Sequence, residues 1–140
     1  GKAFPDATLM LQKEVADRLV AVPGSSSYGT LALQVGLAAD VEPLLTLPPG
    51  AFRPAPKVNS AVVRLRFRQM TDGADRAAFE RVVRGVFIHR RKTLLNALRP
   101  LASSLGRSAE EAIGRAGLDP SQRPQTLTVA DVVRLSRAVL

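Results

Sequence analysis

"ATLMLQKEVADRLVAV", residues 7–22, decides the fold class. Its first six residues form a short apolar run with no helical period, which predicts a buried strand over 7–12. From Lys13 the spacing changes. Val15, Leu19 and Val22 fall on one helical face, and Glu14, Asp17 and Arg18 lie elsewhere. A strand feeding directly into a helix is an α/β element.

The α/β character continues downstream. "PGSSSYG", 23–29, is a flexible loop, and "TLALQVGLAAD", 30–40, is an apolar helix suited to packing on a sheet. "VEPLLTLP", 41–48, predicts a strand that ends in prolines. "SAVVRLRFR", 60–68, alternates clearly: Val63, Leu65 and Phe67 point one way, and Val62, Arg64, Arg66 and Arg68 the other. The roughly dozen residues between these strands exceed a common hairpin and make a candidate functional loop.

"QMTDGAD", 69–75, is a polar break and the expected domain boundary. Beyond it the sequence carries four helical patterns. The first holds Phe79, Val82, Val83, Val86 and Phe87; the second holds Leu94, Leu95 and Leu98 and is closed by Pro100. The third starts at Ser108 as N-cap, with Glu110 and Glu111 in its first turn, and stops at Gly117. The fourth starts at Thr128, with Asp131 placed for a capping box. The expectation is an α/β part over 1–70 and a four-helix domain over 71–140, without internal repeats.

Composition narrows the function. A hydrophobic content of 46% means a globular chain, and no apolar run reaches membrane length, so the protein is read as soluble. The absence of cysteine excludes disulfides and thiolate metal sites, and a single histidine, His89, cannot build a His-rich one. An aromatic content of 4% argues against base stacking across a whole sheet. The opening "GKAFPDATLML" has no initiating Met and starts in mid-architecture, the pattern of a fragment. The net charge of +8 is concentrated: from Arg53 to Arg99 there are twelve basic residues and three acidic ones. Such a concentration suggests a polyanion partner, most often nucleic acid.

No phosphate-binding glycine loop, zinc-helix motif or nucleophile elbow is present. Glu14 and Asp17 read as a solvated helix face, and His89 has no acid partner nearby in sequence. "HRRK", 89–92, lies where one helical pattern passes into the next. If a helix begins near Arg90, its free N–H groups and three cations form a phosphate clamp; the alternative is a solvated linker. The row Arg64, Arg66, Arg68 either binds RNA or protects an edge strand by charge. In 48–60 the prolines stiffen the backbone and can hold Phe52 at a fixed place. From the residues alone, Phe52 is either a presented ring or a plug in the core.

Five segments then resemble a known family in order: "LMLQKEVADRL" at 9–19, "YGTLALQ" at 28–34, "LPPGAFRPAPKVNSAVVRL" at 47–65, "RRKTLLNAL" at 90–98 and "GLDPSQRPQTLTVADVVRL" at 117–135. They are similar to the C-terminal half of the ribosomal RNA adenine N6-dimethyltransferases, most of all the bacterial small-subunit type. The resemblance implies the late strands of a Rossmann-like methyltransferase sheet over 1–70 and a helical RNA-binding domain over 71–140. It implies transfer of methyl groups from S-adenosylmethionine to two adjacent adenines near the 3′ end of small-subunit rRNA, on a pre-30S particle in the cytoplasm. Phe52 resembles the residue that stacks on the turned-out adenine. Arg90, Arg91 and Lys92 resemble a site that grips rRNA away from the target. Arg53 and Lys57 are placed at the pocket rim, with Arg64 and Arg66 as further RNA contacts.

The family's glycine-rich cofactor motif and its Asn-Leu-Pro-Tyr catalytic motif occur nowhere in these residues. The chain by itself is therefore expected to bind RNA, to bind no cofactor and to be inactive. Gln125 stands where relatives often carry Glu. Exposed sheet edges lead to an expectation of dimerisation or strand swapping. Two alternatives stand beside this reading: a stand-alone RNA-binding module of ribosome assembly, and a large-subunit methyltransferase of the antibiotic-resistance type.

Overall fold

The computed structural model describes residues 5–51, 53–54, 57–69 and 75–140. Strand β1 (Asp6–Gln12) runs straight into helix α1 (Lys13–Val20), and α2 (Thr30–Gly36) leads to β2 (Ala39–Leu47) and β3 (Ser60–Phe67). Four helices follow: α3 (Arg76–Phe87), α4 (Leu94–Ser104), α5 (Ala109–Arg115) and α6 (Val129–Val139). The order of strands is β1-β3-β2, and both outer strands pair antiparallel to β3. It follows that β1 and β2 run parallel to each other with β3 inserted between them.

The alternation of β3 is realised as predicted. Ala61, Val63 and Leu65 are buried and Arg66 is exposed. The strand is central, however, so its arginines do not guard an edge. Strand β1 is less buried than its apolar run suggests: Leu9 is 42% and Met10 56% exposed. It forms one side of the three-stranded sheet, with β3 as its single described neighbour. Helix α1 turns Ala16 and Leu19 inward and ends before Val22, which is exposed. Helix α2 ends at Gly36 rather than 40, because Ala39 already pairs with Phe67. A Cβ at Gly36 would meet Val129 Cγ2 at 3.0 Å, so this glycine lets α2 approach α6 closely.

Two apolar clusters hold the molecule. One joins Ala16 and Leu19 of α1 to Ala39, Ala61, Val63 and Leu65 of the sheet. The other is the helical core around Phe79, Leu94, Leu98, Ile113 and Leu135, and it reaches back to Tyr28, Leu33 and Leu37. Helix α2 thus serves both: Leu31 and Val35 pack against the sheet cluster, Ala32 and Leu33 belong to the helical one. Residues 70–74, most of the expected boundary, lie outside the described residues.

Helix ends follow the side-chain chemistry. Asp75 caps α3, Ser108 caps α5, and Thr128 with Asp131 forms the capping box of α6. Gly117 has φ +70, the left-handed conformation expected just past a helix. Pro100 does not close α4 but sits inside it. Among the described residues no helix is long and apolar enough to cross a membrane.

Candidate nucleic-acid interface

Apart from the arginines of β3, the sequence-predicted residues fall into two groups carried by different elements. The first surrounds the β2–β3 loop. That loop leaves Leu47 through a 3-10 turn at Pro49–Ala51 and returns at Asn59, whose carbonyl oxygen accepts from Lys13 N at 2.9 Å. It therefore sits at the carboxyl ends of the parallel strands β1 and β2. In open α/β sheets that is where ligands bind. Arg53 and Lys57 are exposed there; Phe52 lies outside the described residues.

The arginines of β3 are not part of that rim. At about 3.3 Å per residue, Arg64 and Arg66 lie roughly 13 and 20 Å along the strand from Ser60. The charge of Arg66 is also answered locally. Arg66 meets Glu42 Oε2 at 3.3 Å, and Arg64 faces Glu42 in the β2 register and Thr8 in the β1 register. Arg68 is bound by Asp40 and by the Gly36 carbonyl oxygen. The basic row is thus interleaved with the carboxylates of β2, a cross-strand relation that local spacing does not reveal.

The second group is the turn between α3 and α4. Helix α4 begins at Leu94, not near Arg90, since Thr93 is its N-cap and accepts from Asn96 N at 3.3 Å. Leu94 N donates to Gln122 O at 2.6 Å and Leu95 N to Pro120 O at 3.1 Å. The donors expected to join a phosphate clamp are used inside the protein. What remains for an anion is the side chains. Arg90, Arg91 and Lys92 are exposed, and among the described residues their side chains make no ion pair or hydrogen bond. Their backbone is held: Lys92 N donates to His89 O at 2.9 Å, and the Arg123 guanidinium donates to Arg91 O.

Two further groups escape sequence reasoning. Arg123 is a positioning residue for this turn, placed there by the long 116–128 connection. Arg81 and Arg84, with Ile88, repeat at i, i+3 and i+7 on the outside of α3, opposite the buried Val82, Val83 and Val86. Ile88 is 75% exposed, and the stripe runs directly into the Arg90–Lys92 turn. The signal is present as helical spacing, but a count of charges does not show it.

Tyr28 braces the segment before α2 against the segment before α6. Its hydroxyl donates to Leu127 O at 2.5 Å, and Gly24 N donates to Gln125 O at 2.7 Å. Burial, with the nearby Asp131 charge, pushes the Tyr28 phenol up to about 12, so it remains a donor above the pH at which a free phenol ionises.

Comparison with known proteins adds identity to this geometry. Residues 2–139 match the family described as "Ribosomal RNA adenine dimethylase". The chain is 47% identical over 133 residues to the "Ribosomal RNA small subunit methyltransferase A" of Pseudomonas aeruginosa, covering 94% of this chain and 47% of that protein. It is 45% identical over 140 residues to the protein of the same name from Xanthomonas campestris, covering 99% and 51%. It therefore spans about half the length of the curated relatives it matches. A dimethyladenosine transferase from Plasmodium falciparum superposes with TM-score 0.79 at 24% identity, covering 94% of this chain and 56% of that one. The 23S rRNA methyltransferase ErmE superposes with TM-score 0.61 at 22% identity, covering 96% and 55%. Both likenesses concern the fold.

Proposed function

The chain belongs to the ribosomal RNA adenine dimethylase family, and on that premise we propose that it is the C-terminal half of an rRNA adenine N6-dimethyltransferase. The substrate is a pair of adjacent adenines near the 3′ end of small-subunit rRNA, in a pre-30S particle in the cytoplasm. The match of residues 2–139 to the family carries this reading. The small-subunit name of the curated relatives favours it over the large-subunit alternative.

In this reading residues 1–70 are late strands and helices of a Rossmann-like catalytic domain. Residues 71–140 hold RNA, with α2 as the shared element. Phe52 stacks on the flipped adenine, and Arg53 and Lys57 neutralise phosphates at the rim. Arg90, Arg91 and Lys92 grip rRNA at a distance from the target, a role that suits their exposed and unpaired side chains. Arg64 is a further RNA contact, and Arg66 contributes less, because Glu42 already pairs with it.

S-adenosylmethionine is the methyl donor the family implies, and among the described residues the cavities below do not fit it. Among the described residues, one cavity has Asp17 in its lining and another Asp40, and Asp40 is bound by Arg68. A sulfonium cation gains nothing from the arginine-lined cavities.

The test is charge reversal of Arg90, Arg91 and Lys92 to Glu, with binding to small-subunit RNA measured against salt. The expected result is weaker binding and a shallower salt dependence, by about 0.7–0.9 for each phosphate no longer neutralised. Unchanged affinity and slope would overturn the grip.

A further inference from the structure

Between α1, the 21–29 segment, the start of α2 and the end of α3 lies a cavity of about 360 Å³. Arg18, Ser26, Ser27, Thr30 and Arg90 line it, with Phe87 as part of its apolar wall. Among the described residues no carboxylate lines it. Arg18 and Arg90 are brought together from distant parts of the sequence, α1 and the turn after α3.

The hydroxyls divide sharply. Ser25 Oγ is used on Val22 O at 2.8 Å, and the Tyr28 hydroxyl on Leu127 O. Those of Ser26, Ser27 and Thr30 make no hydrogen bond among the described residues, yet all three residues line the cavity. The segment carrying them is fixed at both ends, by Gly24 N to Gln125 O at 2.7 Å and Tyr28 N to Ser25 O at 3.2 Å. The cavity thus offers three idle hydroxyl donors and two guanidinium groups on a braced backbone. That chemistry suits a tetrahedral oxyanion.

We propose that this cavity is a second RNA-backbone site that takes a phosphodiester, with Arg90 serving it together with Arg18 rather than acting as one unit with Arg91 and Lys92. The proposal rests on the RNA-binding reading above. Arg90 joins the cavity to the exposed Arg91–Lys92 turn, so one strand can occupy both. The ion pair of Arg18 with Glu14, at 2.9 Å, does not forbid this: both side chains are more than half exposed, and such pairs are weak. Glu14 instead sets a modest brake on anion binding.

Three variants test the site on the longest chain the gene encodes, with small-subunit RNA. Ser26→Ala with Ser27→Ala should lower affinity about tenfold, the effect of losing hydrogen bonds to a charged group. Arg18→Gln should reduce the salt slope by about 0.7–0.9. Glu14→Gln should raise affinity about two- to fivefold by freeing Arg18. This gain distinguishes the site from a structural role, since damage to the fold does not tighten binding. Amide resonances of Ser26, Ser27 and Thr30 should shift saturably with RNA. If inorganic phosphate at matched ionic strength shifts them and RNA does not, the cavity is a free-phosphate site and the proposal is wrong. Unchanged RNA affinity in all three variants, with normal RNA binding by the parent, overturns this site but leaves the proposed function intact. A parent that binds no RNA overturns both.

Discussion

The hydroxyl of Tyr28 and the carbonyl oxygen of Leu127 meet at 2.5 Å across 99 positions of sequence, inside the helical core. This contact ties the segment before α2 to the segment before α6, and both flank the basic turn at 90–92. A phenol raised to about 12 releases its proton later in the folded than in the unfolded chain. Its contribution to stability is complete below pH 10 and is lost as pH rises from about 10 to about 12. Alkaline unfolding of the parent should therefore be steeper in that window than that of Tyr28→Phe. The variant itself should be destabilised at pH 7 by about 1–3 kcal/mol, because the Leu127 carbonyl loses its partner. Identical alkaline curves for the two proteins would remove the claim.

The start of α4 yields a second prediction. Thr93 caps the helix, while the two N–H groups ahead of Asn96 are turned to Gln122 and Pro120. Thr93→Ala should lower stability by about 1 kcal/mol. RNA affinity and its salt slope should stay at the parent's values, since no donor of this helix end faces the ligand. Loss of RNA binding at unchanged stability would return the helix terminus to the phosphate clamp.

Much of this arrangement is legible in the sequence, and the exceptions share a cause. The alternation of Val63, Leu65 and Arg66 needs only the pleat, and the caps at Ser108 and Thr128 need only local hydrogen bonds. The central place of β3, the exposure of Met10 and the pairing of Arg66 with Glu42 depend on which strands lie side by side. No window of the sequence contains that information. Spacing places the onset of α4 too early because three cations ahead of a leucine pattern resemble a helical turn, whereas Thr93 is where the backbone turns helical. Phe52 is known only through its motif. The cavity beside Arg90 is invisible for a similar reason, since "SSS" reads as loop until Arg18 and Arg90 are brought to it.

Pro100 offers a test of how α4 is held. It stands inside the helix, exposed, where it cannot donate to the Asn96 carbonyl oxygen. The helix persists because Leu94, Ala97, Leu98 and Ala102 are buried in the core. Pro100→Ala should restore the missing bond and stabilise the protein by roughly 1–3 kcal/mol, seen as a higher Tm. A lower Tm would mean that the proline ring packs favourably enough to outweigh the absent bond.

Phe52 separates binding from catalysis. The loop that carries it starts and ends at the carboxyl edge of β1 and β2, while the free cations of the 90–92 turn lie on the helical side of the chain. If Phe52 stacks on the target adenine, Phe52→Ala removes about 1–3 kcal/mol of base stacking and leaves the distant grip untouched. Methylation of small-subunit RNA should then fall much further than RNA affinity, measured side by side on the longest chain the gene encodes. The conservative Phe52→Tyr should recover most of the methylation, because it keeps the ring. Equal loss of binding and methylation, accompanied by a drop in Tm, would instead make Phe52 a plug in the core.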